Sequence, residues 1–243
     1  MRLSASLDKH NVGHFGFTAM PFEDLGASEY TLATIVADKS GSVYSFQSEM
    51  EATLKAIVEA CKHSKRVDNL LLRTLSFSNH SQEVHGFKFL TDIDPNNYDG
   101  ILNPSGATAL FDACVDALEA SNNYGKELVS KDYTVNGIVF VITDGENNSG
   151  KCSASDVKKA IASAVSGENM DSMISVLVAV NVENASCQHA LQNFKNEAGF
   201  DEYIEIKNAT KSELAKLAKF VSQSIISQSQ AITTGSASQL IKW

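Results

Sequence analysis

The sequence predicts an α/β fold with a doubly wound, mostly parallel central sheet and helices on both faces. Residues 31–37 (TLATIVA) form an apolar, β-branched run typical of a strand that is buried on both faces. Similar runs alternate along the chain with amphipathic stretches, which favours parallel strands joined by helical crossovers. The 243 residues, 43% of them hydrophobic, are enough for one complete α/β core.

Each element is indicated by its own periodicity. Apolar runs predict buried strands at 31–37, 69–77, 135–143, 173–180 and 202–206. Residues 83–89 alternate between apolar and polar side chains, which predicts one short antiparallel edge strand. Apolar residues at spacings of three and four predict helices at 46–66, from 110, from 153 or 155, at 185–198 and at 211–229.

Composition divides the chain into three parts. Residues 1–29 are mixed in character, and Phe15 and Phe17 alternate with glycines, which predicts an edge segment or a packed arm. Residues 30–230 contain the alternating strands and helices and form the predicted α/β domain. Residues 231–243 are rich in Ser, Thr and Gly, and we expect a loose C-terminal tail.

Charge and cysteine usage restrict the classes of function. A net charge of −9 disfavours a nucleic-acid-binding surface. No apolar run approaches the roughly 20 residues that span a bilayer, and the first residues lack the apolar core of a signal peptide. The four cysteines have no metal-ligand spacing and are interpreted as free thiols in a reducing compartment. We therefore expect a cytoplasmic protein that binds neither nucleic acid nor membranes.

Three polar loops carry the candidate chemistry, and each follows a predicted strand or opens a predicted helix. In a doubly wound sheet, loops at the carboxyl ends of the strands crowd one edge. Together they offer two carboxylates and three hydroxyls, which are oxygen ligands suited to a hard cation such as Mg²⁺. Such a cation would still accept a carboxylate from another molecule, so the pattern predicts binding rather than catalysis. The five candidate ligands are Asp38, Ser40, Ser42, Thr108 and Asp144.

Each candidate ligand has a simpler interpretation when it is taken alone. Ser40, Ser42 and Thr108 could cap helices and tighten turns. Asp38 and Asp144 could be N-cap carboxylates. The metal interpretation is favoured because all five lie in the proper strand or loop context.

Three motifs in this order resemble the von Willebrand factor A (VWA) domain with its metal-ion-dependent adhesion site. They are Asp-x-Ser-Gly-Ser at 38–42, Ser-Gly-x-Thr at 105–108 and Thr-Asp-Gly at 143–145, and the resemblance covers roughly 30–226. It implies that the three hydroxyls contact the metal directly. It also implies that the two carboxylates hold metal-bound waters, or that one of them binds the metal in some states. The implied cofactor is Mg²⁺ or Mn²⁺, and the implied partner is a protein that presents an Asp or Glu.

Looser similarities suggest a lineage within that family. Residues 220–225 resemble the end of intracellular bacterial members, notably the tellurium-resistance TerY group. The stretch from residue 13 to residue 31 resembles the lead-in of bacterial and phage-encoded members. Lys39 departs from the family, which often has a neutral residue there, and we expect its ammonium to point to solvent.

Two roles are open for each of the residues next to the predicted site. Glu146, Asn147 and Asn148 could steer the choice of partner, or they could form a solvated turn. Asp112, one helical turn after Thr108, could support the metal ligands from behind or have an ordinary polar role.

Two other functions compete with metal-dependent protein binding. One is a structural or assembly role, for example in a phage particle or a tellurite or stress-response complex, with a metal that only stabilises the fold. The other is a phosphoryl-transfer hydrolase, which needs a nucleophilic carboxylate and a second acid two residues later. Ser40 occupies that second position, and no glycine-rich phosphate loop is present. We therefore expect a protein that is not an enzyme.

Overall fold

The computed structural model describes residues 6–12, 15–166, 170–182, 184–238 and 240–243. These residues form an eight-stranded sheet with the order β1-β2-β5-β4-β3-β6-β7-β8. The strands are β1 (Asp8–Val12), β2 (Phe15–Ala19), β3 (Glu29–Asp38), β4 (Leu70–Phe77), β5 (Ser81–Phe89), β6 (Thr134–Thr143), β7 (Ser172–Val180) and β8 (Glu202–Ile206). The helices are α1 (Gln47–Lys62), α2 (Leu110–Val129), α3 (Ala154–Ser166), α4 (Ala185–Ala198) and α5 (Lys211–Thr234). The predicted fold class is confirmed.

β3 is the second of five neighbouring parallel strands, in the order β4-β3-β6-β7-β8. It pairs in parallel with β4 on one side and β6 on the other, so that Ala37 lies beside both Ser76 and Ile142. The chain leaves β3 through α1 to reach β4, and it later passes through α2 to reach β6. The direction of winding therefore reverses at β3, and in open α/β sheets ligands bind outside the carboxyl ends of the strands at such a point.

The antiparallel part of the sheet contains more than the predicted strand. β5 pairs antiparallel with β4, as expected for 83–89, but the β1–β2 hairpin lies beyond it. β2 joins β5 at Ala19 and Phe87. A Cβ on Gly86 would lie 1.9 Å from the carbonyl oxygen of Thr18, so this close approach requires glycine. The hairpin comes from residues 1–29, the segment predicted as an arm or edge. Within that segment, residues 1–5, 13 and 14 lie outside the described residues.

The two faces of the sheet bury separate apolar clusters because side chains alternate along each strand. In β3, Leu32 and Val36 face the cluster that contains residues of α2, α3 and α4. Ala33 and Ile35 face the opposite cluster, which contains residues of α1 and α5. None of the described helices has the length and apolar character needed to traverse a bilayer.

Two predicted helix boundaries differ from the structure. α1 ends at Lys62, short of the predicted residue 66, whereas α5 continues to Thr234 instead of ending near 229. The end of α5 is polar in sequence but is held by tertiary hydrogen bonds. Asn136 donates to the carbonyl oxygen of Gln228 at 2.8 Å, and the Nε of Arg66 donates to the Ser229 hydroxyl at 3.1 Å.

A buried ion pair connects the β1–β2 hairpin to the sheet. Arg73 is fully buried, and its Nε donates to Glu83 at 2.9 Å. The same carboxylate accepts from the backbone N–H of Thr18 at 3.0 Å and from its hydroxyl at 2.6 Å. Phe15 and Phe17 of the hairpin lie over the guanidinium, with ring centroids 5.2 and 5.7 Å from its central carbon. Glu83 therefore neutralises a buried charge and anchors a strand.

We expect Glu83→Gln to lower the free energy of unfolding by about 3 kcal/mol, because the change removes the carboxylate that is hydrogen-bonded to the buried Arg73 guanidinium. Urea denaturation measures the effect. The control is Glu213→Gln, which breaks the exposed pair with Lys216; we expect it to change stability by less than about 1 kcal/mol. Equal losses in the two variants would contradict the role given to Glu83.

Candidate metal centre

The carboxyl ends of β3 and β6 place Asp38 in the interior of the candidate site. Asp38 is the last residue of β3, and its side chain is buried. The hydroxyl of Thr143, the last residue of β6, donates to Asp38 Oδ2 at 2.6 Å. The backbone N–H of Ser40 donates to Asp38 Oδ1 at 2.7 Å. Both carboxylate oxygens are thus held in place by residues at the same edge of the sheet.

Hydrogen bonds connect this carboxylate to the other acidic residue of the site. The hydroxyls of Ser40 and Ser42 lie 3.1 Å apart. Ser42 donates to Asp144 Oδ1 at 2.8 Å. Ser40 is buried whereas Ser42 is exposed, so the chain of polar groups leads from the interior to the surface. The structure therefore brings together Asp38, Ser40, Ser42 and Asp144, although Ser42 and Asp144 are 102 positions apart in the sequence.

The loop that carries Thr108 lies against the loop that follows β3. The backbone N–H of Ser105 donates to the carbonyl oxygen of Lys39 at 3.0 Å, and that of Gly41 donates to Gly106 at 3.2 Å. Gly106 has a φ of +80°, a conformation that favours glycine. The Thr108 hydroxyl faces Gly145, where an added Cβ would lie 3.9 Å from it. Thr108 therefore lies beside the residue that follows Asp144.

The two carboxyl groups lack a compensating positive charge in the described part of the chain. Burial raises the pKa of Asp38 above its usual range, although hydrogen bonds from Thr143 and Ser40 oppose the shift. Burial, followed by the nearby charge of Asp38, raises the pKa of Asp144 to about 6. The Lys39 ammonium donates to Gln82 of β5 at 2.6 Å, and no described cation pairs with either carboxylate.

The donor set fits a hard divalent cation. Two carboxylates and three hydroxyls supply only oxygen, which suits Mg²⁺ or Mn²⁺ and leaves positions for water. The described residues contain no cluster of three or more His, Cys, Asp or Glu side chains able to hold a metal. A cation at this edge would therefore depend on the hydroxyls of Ser40, Ser42 and Thr108 as well as on the carboxylates. Its charge would offset the like-charge repulsion between Asp38 and Asp144.

Two residues that hold the site together received no role from the sequence. Thr143 was recognised only as part of a motif, yet its hydroxyl bonds Asp38. Asn79 follows β4, and its Oδ1 accepts from the backbone N–H of Ala107 at 2.8 Å, next to Gly106. The sheet register, which pairs Ala37 with Ile142, would have placed Thr143 beside Asp38. No sequence signal connects Asn79 to a loop 28 positions later.

The residues that flank the site are largely engaged within the chain. Glu146 is exposed. Asn147 Oδ1 accepts from the backbone N–H of Phe111 at 3.0 Å, and Asn148 Oδ1 accepts from that of Thr108 at 2.7 Å. Asp112 accepts from the backbone N–H groups of residues 151 and 152. A partner-binding role for residues 146–148, and support of the metal by Asp112, stay predictions.

Comparison with known proteins supports the fold through structure alone. No protein-family model matches the chain, and no curated protein sequence is similar to it. The PilB minor pilin of Streptococcus sanguinis superposes with a TM-score of 0.59 at 15% identity, covering 87% of this chain and 64% of the pilin. Proximal thread matrix protein 1 of the mussel byssus superposes at 0.55 and 18% identity, covering 80% of this chain and 48% of that protein. The fold is VWA-like.

A second structure of the mussel protein is described as having a zinc-occupied metal-ion-dependent adhesion site; it superposes at 0.55 and 18% identity, covering 82% of this chain and 46% of that one. The pilus adhesin SpaC of Lactobacillus rhamnosus GG superposes at 0.56 and 10% identity, covering 84% of this chain and 30% of the adhesin. The VWA-like chain thus spans less than two thirds of these proteins. At such identities the likeness concerns the fold, and the function has to be argued from the site.

We expect Mg²⁺ or Mn²⁺ to raise the melting temperature at pH 7.5 by about 5 °C when the concentration is about a hundredfold above the Kd. The increase should be much smaller at pH 5, because protons then compete for Asp144, whose pKa is about 6. Differential scanning fluorimetry measures both values. Absence of a shift at both pH values would show that these residues do not hold a cation.

We expect Asp144→Asn to abolish the metal-induced shift and to raise the melting temperature of the metal-free VWA-like protein at pH 7.5. The folded-state pKa of Asp144 lies above its ordinary value of 3.8, so ionisation destabilises the metal-free fold. That contribution is absent below about pH 4 and is complete above about pH 6, and an amide removes it. Thermal melts between pH 4 and 8 test this; a lower melting temperature for the variant would contradict the electrostatic argument.

Proposed function

We propose that this protein is a divalent-metal-dependent protein-binding module. Mg²⁺ or Mn²⁺ would be held by Ser40, Ser42 and Thr108, with Asp38 and Asp144 binding it directly or through water. An Asp or Glu of a partner protein would complete the coordination shell. When bound, the cation would supply positive charge and open coordination positions for that carboxylate.

The observation that carries this proposal is the hydrogen-bonded series from Asp38 through Ser40 and Ser42 to Asp144. It joins two carboxylates with raised pKa values to an exposed hydroxyl. The buried end of the series would retain the cation. The exposed end, at Ser42, would leave it accessible to another molecule. The VWA-like fold and the zinc-occupied site of the mussel protein support the same interpretation.

Binding is favoured over catalysis by the groups that surround the carboxylates. Two residues after Asp38 stands Ser40, a hydroxyl, where a phosphoryl-transfer hydrolase of the kind considered above needs an acid. The Lys39 ammonium, which could stabilise a transferred phosphoryl group, is hydrogen-bonded to Gln82 instead. We therefore propose a non-enzymatic role.

The cellular setting is a further part of the proposal. The four cysteines are free in the structure, which supports a reducing compartment. Together with the resemblance of residues 220–225 to the TerY group, this leads us to propose an intracellular bacterial or phage system and a cytoplasmic location.

The proposal predicts metal-dependent capture of acidic peptides. A peptide array in which each member contains a single Asp or Glu is probed in 5 mM Mg²⁺ and again in EDTA, with matched Asn or Gln peptides as controls. We expect binding of a subset of acidic peptides that is lost in EDTA and at least about tenfold weaker for their amide counterparts. Binding that ignores EDTA, or equal binding of the amide peptides, would contradict a carboxylate-to-metal contact.

Ser42→Ala separates this function from a purely structural metal. If the cation binds a partner, the substitution should reduce peptide capture by about tenfold or more, because it removes a metal-facing hydroxyl. If the metal only stabilises the fold, the variant should melt at a lower temperature and still capture the same peptides. Peptide capture and melting temperature, measured on one preparation, distinguish the two roles.

A further inference from the structure

The first turn of α2 is capped by a distant loop instead of by its own N-cap residue. A helix leaves its first N–H groups without intrahelical partners, and a Ser, Thr, Asp or Asn at the N-cap position usually accepts from one of them. In α2 that position is Ala109, which has no accepting side chain. Asn147, 36 positions later, accepts from the N–H of Phe111 at 3.0 Å.

Asn148, the next residue of the same loop, forms hydrogen bonds with both the backbone N–H and the backbone carbonyl of Thr108. Asn148 Oδ1 accepts from the N–H of Thr108 at 2.7 Å. The N–H of Asn148 donates to the carbonyl oxygen of Thr108 at 3.0 Å. Two hydrogen bonds to one residue restrict both its position and its orientation.

α2 binds the loop in return through Asp112. Asp112 Oδ1 accepts from the N–H of Lys151 at 2.9 Å and from that of Cys152 at 2.7 Å. Gly150 has a φ of +97°, and a Cβ there would lie 2.7 Å from Asp112 Oδ1, so the loop passes close to this carboxylate. We call Asn147, Asn148 and Asp112 the clasp.

The clasp connects two residues of the candidate metal site. Thr108 precedes α2 by two positions, and Asp144 lies three and four positions before the asparagines of the clasp. Asp144 is held from the other side by Ser42. The relative position of the Thr108 hydroxyl and the Asp144 carboxylate is therefore set by hydrogen bonds within the chain rather than by a bound cation.

A fixed ligand geometry affects the binding of Mg²⁺ and the binding of Ca²⁺ to different extents. Mg²⁺ requires near-ideal octahedral geometry with ligands at about 2.0–2.1 Å, whereas Ca²⁺ accepts irregular shells at about 2.3–2.6 Å. A loosened Thr108 would therefore weaken Mg²⁺ binding more than Ca²⁺ binding.

We propose that Asn147, Asn148 and Asp112 are positioning residues, which hold Thr108 against the Asp144 loop and thereby favour Mg²⁺ over Ca²⁺. This inference rests on the metal site of the proposed function. It gives the two asparagines a role inside the molecule in place of a contact with the partner.

The test compares Asn147→Ala, Asn148→Ala and the double variant with the unmodified protein. Isothermal titration calorimetry measures the Kd for Mg²⁺ and for Ca²⁺ separately. We expect the Mg²⁺ affinity to fall by about tenfold or more and the Ca²⁺ affinity by less than about threefold. Amide hydrogen exchange should accelerate at Phe111 in Asn147→Ala, at Thr108 in Asn148→Ala and at both in the double variant, since each N–H group then loses its acceptor.

Two further variants control for loss of a helix cap and for charge. Asn184 caps α4, accepting from the N–H of Ser186 at 2.8 Å, so Asn184→Ala removes a comparable cap away from the clasp. It should lower the melting temperature and leave both metal affinities unchanged. Asn147→Asp retains an accepting oxygen, so the ratio of Mg²⁺ to Ca²⁺ affinity should be preserved even if the added charge strengthens the binding of both.

The outcomes separate the clasp from the function on which it rests. If the unmodified protein binds Mg²⁺ and the clasp variants bind it equally well, or lose Mg²⁺ and Ca²⁺ by the same factor, the positioning role is overturned and the proposed function stands. If Asn184→Ala changes the ratio as much as Asn148→Ala does, the effect is general destabilisation and the inference fails. If the unmodified protein binds neither cation, the proposed function fails together with the clasp.

Discussion

The parallel pairing of β3 with β6 is the constraint on which the candidate site depends. Because Ala37 and Ile142 are neighbours in this pairing, Asp38 lies beside Thr143 at one edge of the sheet, and Asp144 follows Thr143 at the same edge. Burial raises the pKa of both carboxyl groups, and repulsion by the charge of Asp38 raises the pKa of Asp144 further. The sheet imposes this arrangement through many backbone hydrogen bonds, so the repulsion persists until a cation or protons relieve it.

At this edge of the sheet, each loop is held by hydrogen bonds to a distant part of the chain rather than to the helix that directly follows it. The loop after β3 is hydrogen-bonded to Ser105 and Gly106, and the next residue, Ala107, donates to Asn79 after β4. The loop after β6 supplies the cap of α2 through Asn147. Each loop therefore depends on another for its conformation, which is how a polar site can be rigid without a covalent cross-link.

The similar structures, which include a minor pilin and a mussel matrix protein, share only the fold with this chain, and their low identity leaves the chemistry to the site itself. The candidate site of this chain is a set of oxygen donors at one sheet edge. Lys39 is hydrogen-bonded to Gln82 beside the loop that follows β3, and the β1–β2 hairpin is anchored by the Arg73–Glu83 pair.

The sequence by itself determined the fold class, the positions of β3 to β8 and the five candidate ligands, because burial and alternation leave a local pattern in the residues. It did not determine that Thr143 bonds Asp38, that Asn147 and Asn148 bond Phe111 and Thr108, or that α5 continues to Thr234. Those features come from contacts between residues tens to more than a hundred positions apart. Hydrogen bonds of that kind have no periodicity, and only the tertiary structure decides which polar side chain meets which backbone group.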